Sequence, residues 1–207
     1  MNRRSITAAV AAIAMGVLVF AQPGRLASPA GTAATQVGGK YVGGPDGIYQ
    51  GGKWIEISYG RPIKRSRDLW GAGATYGKML NSGAPVWRAG ANMSTRFKTE
   101  VPIVINGQTV RPGEYSLFID LKENNWTFVL STWPAQAKYD PNNKDALWGS
   151  YFYTPAKDVL RVPMKLETLP HAVEQLTWAF VDMTDAGGLM AISWGNQLAS
   201  VPFKVGT

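Results

Sequence analysis

The sequence predicts an all-β fold: an antiparallel β-sandwich or barrel-like domain of about nine or ten short strands that follows an N-terminal signal helix. Apolar and polar residues alternate with period two in several segments, as expected for strands with one face on a core. The 23 glycines and 13 prolines place turns between these segments, and the eight Trp, eight Tyr and seven Phe suit pleated, half-buried surfaces. A chain of 207 residues is long enough to bury such a core.

Residues 1–21 are a predicted signal peptide. Arg3 and Arg4 give a short basic start, residues 6–20 are almost entirely apolar, and small residues up to Ala21 supply a cleavage site before Gln22. The apolar run is shorter than the roughly 18 residues that a membrane-spanning helix needs, and no later segment is apolar enough to span a bilayer. We therefore expect export to the periplasm or the extracellular space, with no transmembrane segment after cleavage. The export route, Sec or twin-arginine, stays open.

Residues 22–52 differ in composition from the rest of the chain. They are rich in Gly, Ala, Pro and Thr and contain few large apolar side chains. This composition is typical of flexible segments, so we predict a flexible lead-in here. Residues 53–207 are then predicted to form a single β domain.

Five segments after the lead-in carry the alternation of period two. In each, the apolar side chains are expected to face a core and the intervening side chains to face away from it. The apolar positions are Tyr115, Leu117, Ile119 and Leu121; Trp126, Phe128 and Leu130; Leu160, Val162, Met164 and Leu166; Leu176, Trp178 and Phe180; and Met190, Ile192 and Trp194. Residues 94–100 are a further predicted strand.

Turn signals support these strands. Asn106-Gly107 predicts a tight hairpin because both residues tolerate positive φ, and Pro112-Gly113 predicts the turn that follows. Pro163 cannot donate to a ladder, which predicts an edge strand or a bulge at that position. Helix signals are weak: residues 170–175, which include His171, are expected to form a turn or one turn of helix.

Cysteine content and charge exclude several kinds of site. The chain has no cysteine, which removes disulfides, thiolate nucleophiles, zinc–thiolate sites and iron–sulfur clusters. The predicted mature chain has 19 basic and 14 acidic residues, a net charge of +5. These charges are scattered, as on a solvated surface, and nucleic acid is a poor partner for an exported protein. One local basic cluster consists of Arg61, Lys64, Arg65 and Arg67.

No catalytic residue, metal ligand or cofactor is predicted. Nucleophilic catalysis needs a nucleophile beside a base, and His171, the one histidine in the chain, is expected to be an exposed turn residue. Zinc sites nearly always use several His or Cys, which the chain lacks. The segment from Asp140 to Asp145 resembles a calcium loop only superficially, because Lys144 stands where a ligand is needed. Paired carboxylates suit glycoside cleavage, but a chain with 14 acidic residues always furnishes some pair.

The segment Trp87-Arg88-Ala89-Gly90-Ala91-Asn92 is rich in groups that recognise ligands. Arg88 presents a bidentate fork, Asn92 both donates and accepts, and Trp87 offers a stacking face. We favour a structural interpretation, with Trp87 in the core, Asn92 in a turn, and Arg88 paired to Asp158 or another carboxylate. In that case removing Arg88 should cost about 3–5 kcal/mol.

The alternative interpretation, that this segment is a binding site, stays open. On weaker grounds the same alternative applies to other aromatic and arginine residues. The full set of candidate binding residues is Trp87, Arg88, Asn92, Tyr59, Arg61, Trp148, Tyr151 and Arg161.

Six phrases between residues 54 and 182 stand in an order that resembles one family. They are Tyr59-Gly60-Arg61-Pro62, Val86-Trp87-Arg88-Ala89-Gly90-Ala91-Asn92, Ile105-Asn106-Gly107, Pro112-Gly113-Glu114-Tyr115-Ser116-Leu117-Phe118, Trp148-Gly149-Ser150-Tyr151 and Asp158-Val159-Leu160-Arg161-Val162. In this order they resemble the bacterial exported proteins of the domain of unknown function 2911 family. An acidic residue commonly follows the Gly-Ala-Asn phrase in that family, whereas Met93 follows it here. The resemblance implies export and a compact β domain, and it supplies no activity.

The inventory of side chains favours binding over catalysis, because aromatic and arginine residues are many and general bases are few. Our leading hypothesis is a non-catalytic envelope or secreted module that binds a small molecule, glycan or protein through an aromatic–Arg surface. Two alternatives stay open. One is a small hydrolase using Asp/Glu and Tyr, and the other is charge-driven binding to polyanions or a cell surface.

Overall fold

The structure is a computed structural model that describes residues 27–44 and 46–206. The predicted signal peptide, residues 1–21, lies outside the described residues. Within them the chain forms strands β1 (Ala30–Val37), β2 (Lys40–Val42), β3 (Ile48–Gln50), β4 (Lys53–Gly60), β5 (Thr95–Thr99), β6 (Ile103–Ile105), β7 (Gln108–Val110), β8 (Gly113–Lys122), β9 (Asn125–Ser131), β10 (Asp158–Pro163), β11 (Lys165–Thr184) and β12 (Gly187–Val205). Helical structure in these residues consists of α1 (Lys78–Asn81) and 3-10 turns at Gly73–Thr75 and Pro155–Lys157.

Two antiparallel sheets make up the sandwich. One has six strands in the order β1-β4-β5-β8-β9-β10, the other has four in the order β11-β12-β6-β7, and β2 pairs with β3 in a small separate hairpin. A single large hydrophobic cluster contains inward-facing side chains from both sheets. The prediction of an antiparallel all-β sandwich is therefore confirmed.

The region predicted to be a flexible lead-in contributes three strands, so that interpretation is wrong from Ala30 onward. β1 pairs with β4 along its whole length, from Ala30 opposite Gly60 to Val37 opposite Lys53. These added strands bring the number in the described residues to twelve, above the predicted nine or ten. The small side chains of β1 show no apolar alternation that would predict a strand. Its strand geometry comes from pairing with β4.

β8 and β9 follow the predicted alternation on their inner faces. Leu117, Ile119, Trp126, Phe128 and Leu130 are all buried in the main core. Their outer faces are also covered, however. A second cluster on that side contains Val86, Phe118, Val129, Leu147 and Tyr153, with Trp133 packed against it.

The predicted strand from Leu160 to Leu166 is two strands in two sheets. β10 ends at Pro163, and β11 begins at Lys165 in the opposite sheet. Met164 lies at the crossing, where its N–H donates to the backbone oxygen of Trp126 (2.9 Å). β10 is an edge strand, as Pro163 predicted.

β11 and β12 form one long hairpin that spans the second sheet. His171 is exposed within β11, and the turn or helical turn predicted for residues 170–175 is wrong. The pairing register shifts between Thr168 and Val173, so the proline at position 170 sits in an irregular stretch that tolerates the missing N–H.

The hairpin predicted at Asn106-Gly107 is confirmed. It joins β6 to β7, with Ile105 opposite Gln108, and both turn residues have positive φ (47° and 77°). Two positive φ values are typical of a type I′ turn, whose twist matches the flanking strands.

Candidate functional site

The Trp87–Asn92 segment is anchored to the six-stranded sheet at its start and turns sharply at its end. Trp87 and Ile119 exchange two backbone hydrogen bonds of 2.8 and 2.9 Å. Asn92 has a φ of 64°, which Asn tolerates better than most residues. Its side-chain amide donates to the backbone oxygen of Ser28 (3.1 Å), so this turn is tied to the chain just before β1. This geometry agrees with the structural role that we expected for Asn92.

Trp87 lies in the core, with 1% of its surface exposed. Its ring stacks on Trp194 at 6.0 Å and 14°, and packs edge-on against Trp70 and Trp126 at 6.1 and 6.5 Å. We call these four residues the Trp cluster. Because so little of Trp87 is exposed, it cannot act as an open stacking platform for a ligand.

Arg88 is half-buried at the edge of the Trp cluster. Its Nη1 donates to the backbone oxygen of Asn92 (2.7 Å), and its guanidinium lies 5.6 Å from the ring centroid of Tyr151. The guanidinium also lies close to Gly149, where an added Cβ would come within 2.6 Å of it. The expected pairing of Arg88 with Asp158 is wrong, since Asp158 pairs with Arg161 instead.

Arg88 and Asn92 border a concavity of about 250 Å³, which we call the arginine depression. Arg67 also borders it; its guanidinium lies 5.4 Å from the ring of Trp194 and donates to the backbone oxygens of Lys64 and Ile63. Other lining residues include Pro62, Met79, Leu80, Trp87 and Trp194. From the sequence, Arg67 stood out only as a member of the basic cluster.

Neither arginine of the depression forms an ion pair with any described residue. The four ion pairs in this part of the chain join Arg96 to Glu114, Arg161 to Asp120 and Asp158, and Lys165 to Glu167. Arg67 and Arg88 are instead held in place by hydrogen bonds to backbone oxygens and by contacts with aromatic rings.

Tyr59 and Arg61 lie away from this depression. Tyr59 is buried, and its hydroxyl accepts a hydrogen bond from the backbone N–H of Trp178 (2.9 Å), which ties the two sheets together. The aliphatic part of Arg61 covers Gly31 of β1, where a Cβ would collide with it at 2.2 Å. Both positions therefore hold β4 and the segment after it against their neighbours.

Trp148 and Tyr151 lie in the loop that precedes β10. Trp148 is half-buried and its ring lies 5.9 Å from that of Tyr139. Tyr151 is 38% exposed beside the guanidinium of Arg88. Of the candidate binding residues, the structure thus brings Tyr151 into contact with Arg88 and leaves Trp148 in a separate aromatic pair.

Arg161 belongs to a polar network on the outer face of the six-stranded sheet. It pairs with Asp120 (2.7 Å) and Asp158 (2.9 Å), and it donates to the hydroxyl of Tyr153 (3.1 Å). The hydroxyl of Tyr153 in turn donates to Asp158. Burial, followed by this bond to Asp158, raises the pKa of Tyr153 well above its usual value. The phenol is therefore held in its protonated form.

The described residues contain no group of three or more His, Asp or Glu side chains that could hold a metal ion. Their helices likewise include none that is long and apolar enough to cross a membrane.

The fold and the site define a class: an antiparallel β-sandwich with an arginine-lined depression beside a cluster of tryptophans. A family model described as a protein of unknown function, DUF2911, matches residues 47–203. The chain belongs to this family, as its phrases predicted. β1 and β2 both precede the matched region. No curated protein and no solved structure matches the chain.

Proposed function

We propose that this protein is a non-catalytic ligand-binding module, and that the arginine depression binds a small organic anion. The observation that supports this best is that Arg67 and Arg88 border one concavity while neither has a carboxylate partner among the described residues. A guanidinium is always charged, and its planar fork of donors matches the geometry of carboxylate and phosphate groups.

Both guanidinium groups keep donors free for a ligand. Each carries five N–H donors, of which Arg88 uses one for Asn92 and Arg67 uses two for Lys64 and Ile63. These backbone hydrogen bonds also fix the two groups in position. A ligand would therefore meet partly preorganised donors, which lowers the entropic cost of binding.

The rest of the lining indicates that the anion carries an apolar part. Pro62, Met79 and Leu80 border the same space, and Met79 is 44% exposed there. The volume of about 250 Å³ lies just below the range of about 300–1,000 Å³ that is typical of small-molecule sites, so the ligand must be small. A carboxylate or phosphate on a short acyl or aromatic group fits this combination of charge, apolar surface and size.

The hydrolase alternative has less support from the geometry. Tyr153 donates to Asp158 beside Arg161, and the raised pKa of Tyr153 opposes its use as a nucleophile or base at neutral pH. Charge-driven binding of polyanions remains the second alternative. It would depend on the scattered net charge rather than on two particular arginines.

The experiment is isothermal titration calorimetry of the full mature protein with sodium benzoate, hexanoate and phosphate. Arg88→Met and Arg67→Met should each weaken binding by about tenfold or more, as expected for lost hydrogen bonds to a charged group. Arg88→Lys should give an intermediate loss because it keeps the charge but not the fork. Arg111→Met is the matched control, since Arg111 is exposed in the β7–β8 turn and lines no part of the depression.

Equal weakening by all three arginine-to-methionine substitutions, with a steep loss of binding in moderate salt, would favour the polyanion alternative. Saturable binding whose affinity is unchanged in both Arg67→Met and Arg88→Met would exclude the arginine depression as the binding site.

We also propose that the protein is exported and acts in the periplasm or outside the cell. Support for this comes from the basic start, the apolar run and the small-residue site in residues 1–21.

A further inference from the structure

A second concavity, which we call the polar pocket, lies between the two sheets near the β8–β9 turn. Its volume is about 550 Å³, within the range of small-molecule sites. The side chains that matter most for its chemistry are Asp68, Trp70, Tyr76, Glu123, Asn196 and Gln197. We propose that the polar pocket binds a neutral polyhydroxylated ligand, a sugar, independently of the arginine depression.

Trp70 gives the pocket a rigid aromatic wall. Its ring packs against the other three members of the Trp cluster, at 4.7 Å from Trp126, 6.1 Å from Trp87 and 6.4 Å from Trp194. An aromatic face attracts the weakly positive C–H groups of a sugar ring, and a wall held by three neighbours loses little entropy on binding.

The acidic side chains are held by backbone groups and keep acceptors free. Asp68 accepts from the backbone N–H groups of Trp70 and Gly71 with one oxygen, Oδ1 (3.3 Å each). Glu123 accepts from Gly73 with Oε2 (2.9 Å). Each carboxylate therefore has a second oxygen available to accept from a ligand hydroxyl.

Donors come from the phenol and the amides. The hydroxyl of Tyr76 accepts a hydrogen bond from Nε1 of Trp126 (2.9 Å), which leaves its own proton free to donate. Burial raises the pKa of Tyr76, so the proton is retained. The amides of Asn196 and Gln197 each provide both donors and an acceptor.

This mixture of donors and acceptors distinguishes a hydroxylated ligand from a charged one. An anion is disfavoured because none of the described residues that line the pocket is basic. A cation would use the carboxylates but would leave the amide and phenol donors without partners, which costs binding energy in a concave site. A hydroxyl group donates and accepts, so it can use both kinds of side chain at once.

The test is saturation-transfer NMR and calorimetry of the full mature protein with glucose, galactose, mannose, N-acetylglucosamine and cellobiose, with choline as the cationic probe. At least one sugar should bind saturably. Glu123→Gln and Asn196→Ala should each weaken it about three- to tenfold, as expected for one lost hydrogen bond. Asn142→Ala, in an exposed loop outside the pocket, is the matched control and should leave the affinity unchanged.

Both variants change exposed side chains, so their melting temperatures should match that of the unmodified protein. Failure of every sugar to bind, binding of choline in their place, or sugar binding that Glu123→Gln and Asn196→Ala leave intact would each overturn the proposal. Arg88→Met should not alter sugar binding. The result is therefore separate from the outcome for the arginine depression.

Discussion

Replacement of Arg88 by methionine removes a guanidinium while keeping much of its apolar stem. In the folded protein that guanidinium donates one hydrogen bond of 2.7 Å to Asn92 and lies 5.6 Å from the ring of Tyr151. A hydrogen bond that involves a charged group contributes about 1.5–3 kcal/mol, and half-burial favours the lower end. An exposed cation–π contact adds about 0.5–1 kcal/mol. We therefore predict that Arg88→Met lowers the free energy of unfolding by about 2 kcal/mol.

This value lies between two simpler expectations. A buried arginine paired to a carboxylate would leave an uncompensated charge on removal and cost about 3–5 kcal/mol. A surface arginine without specific contacts would change stability by no more than about ±0.5 kcal/mol. Urea denaturation followed by tryptophan fluorescence separates the three cases, provided that the m-value stays constant.

A loss above about 3 kcal/mol would mean that Arg88 has a charged partner, contrary to the contacts in the structure. A loss near zero would mean that its hydrogen bond to Asn92 does not persist in solution. Asn92→Gly is a useful comparison, because glycine keeps both the positive φ and the backbone oxygen that Arg88 uses. It should therefore cost less than Arg88→Met.

Three further predictions concern the fold and export. Gly107→Val should lower stability by about 1–2 kcal/mol through its positive φ alone, since an added Cβ there meets nothing within 4 Å, whereas Gly107→Asn should be nearly neutral in urea denaturation. The mature chain should begin at or near Gln22, and the intact mass of the protein recovered outside the cytoplasm measures this; a mass that includes residues 6–20 would exclude cleavage. Because the pKa of Tyr153 is raised in the folded state, its contribution to stability is present below pH 10 and is lost as the pH rises further. Tyr153→Phe should therefore show a smaller drop in urea midpoint between pH 9 and about 11 than the unmodified protein, and equal drops would contradict the burial of this phenol.

The strands that were predictable are those in which apolar side chains recur at every second residue. Leu117 and Ile119 share the inner face of β8, and Ser116, Phe118 and Asp120 lie on the opposite face, because successive side chains of a strand point to opposite sides. Phe118 was expected to face away from a core, yet it is buried in the second cluster. Alternation reports the inner face, but it does not reveal that the chain after β9 returns to cover the outer face.

β1 and the crossing at Met164 could not be predicted for a different reason. The sequence of β1, with Gly31 and several alanines, has little intrinsic preference for a strand, and its place is set by pairing with β4 and by the stem of Arg61 over Gly31. At Met164 the apolar period continues without interruption although the chain changes sheets. Both features depend on contacts that are distant in the sequence.

The site shows the same division between local and long-range information. The Trp87–Asn92 segment was recognisable because its residue types are those that bind ligands, but its sequence did not reveal that Trp87 is buried while Arg88 borders a depression. Arg67 joins Arg88 only after the chain has folded. The polar pocket collects residues from four distant segments, none of which forms a motif on its own.

The Trp cluster connects these observations. Trp87 and Trp194 line the arginine depression, Trp70 lines the polar pocket, and Trp70 packs against both of the others. Eight tryptophans in one small chain therefore need not mean eight exposed binding platforms. Large, closely packed rings deform little, so they can form the inner boundary of both cavities. The chemical difference between the cavities then comes from the side chains at their rims, which are arginines on one side and carboxylates with amides on the other.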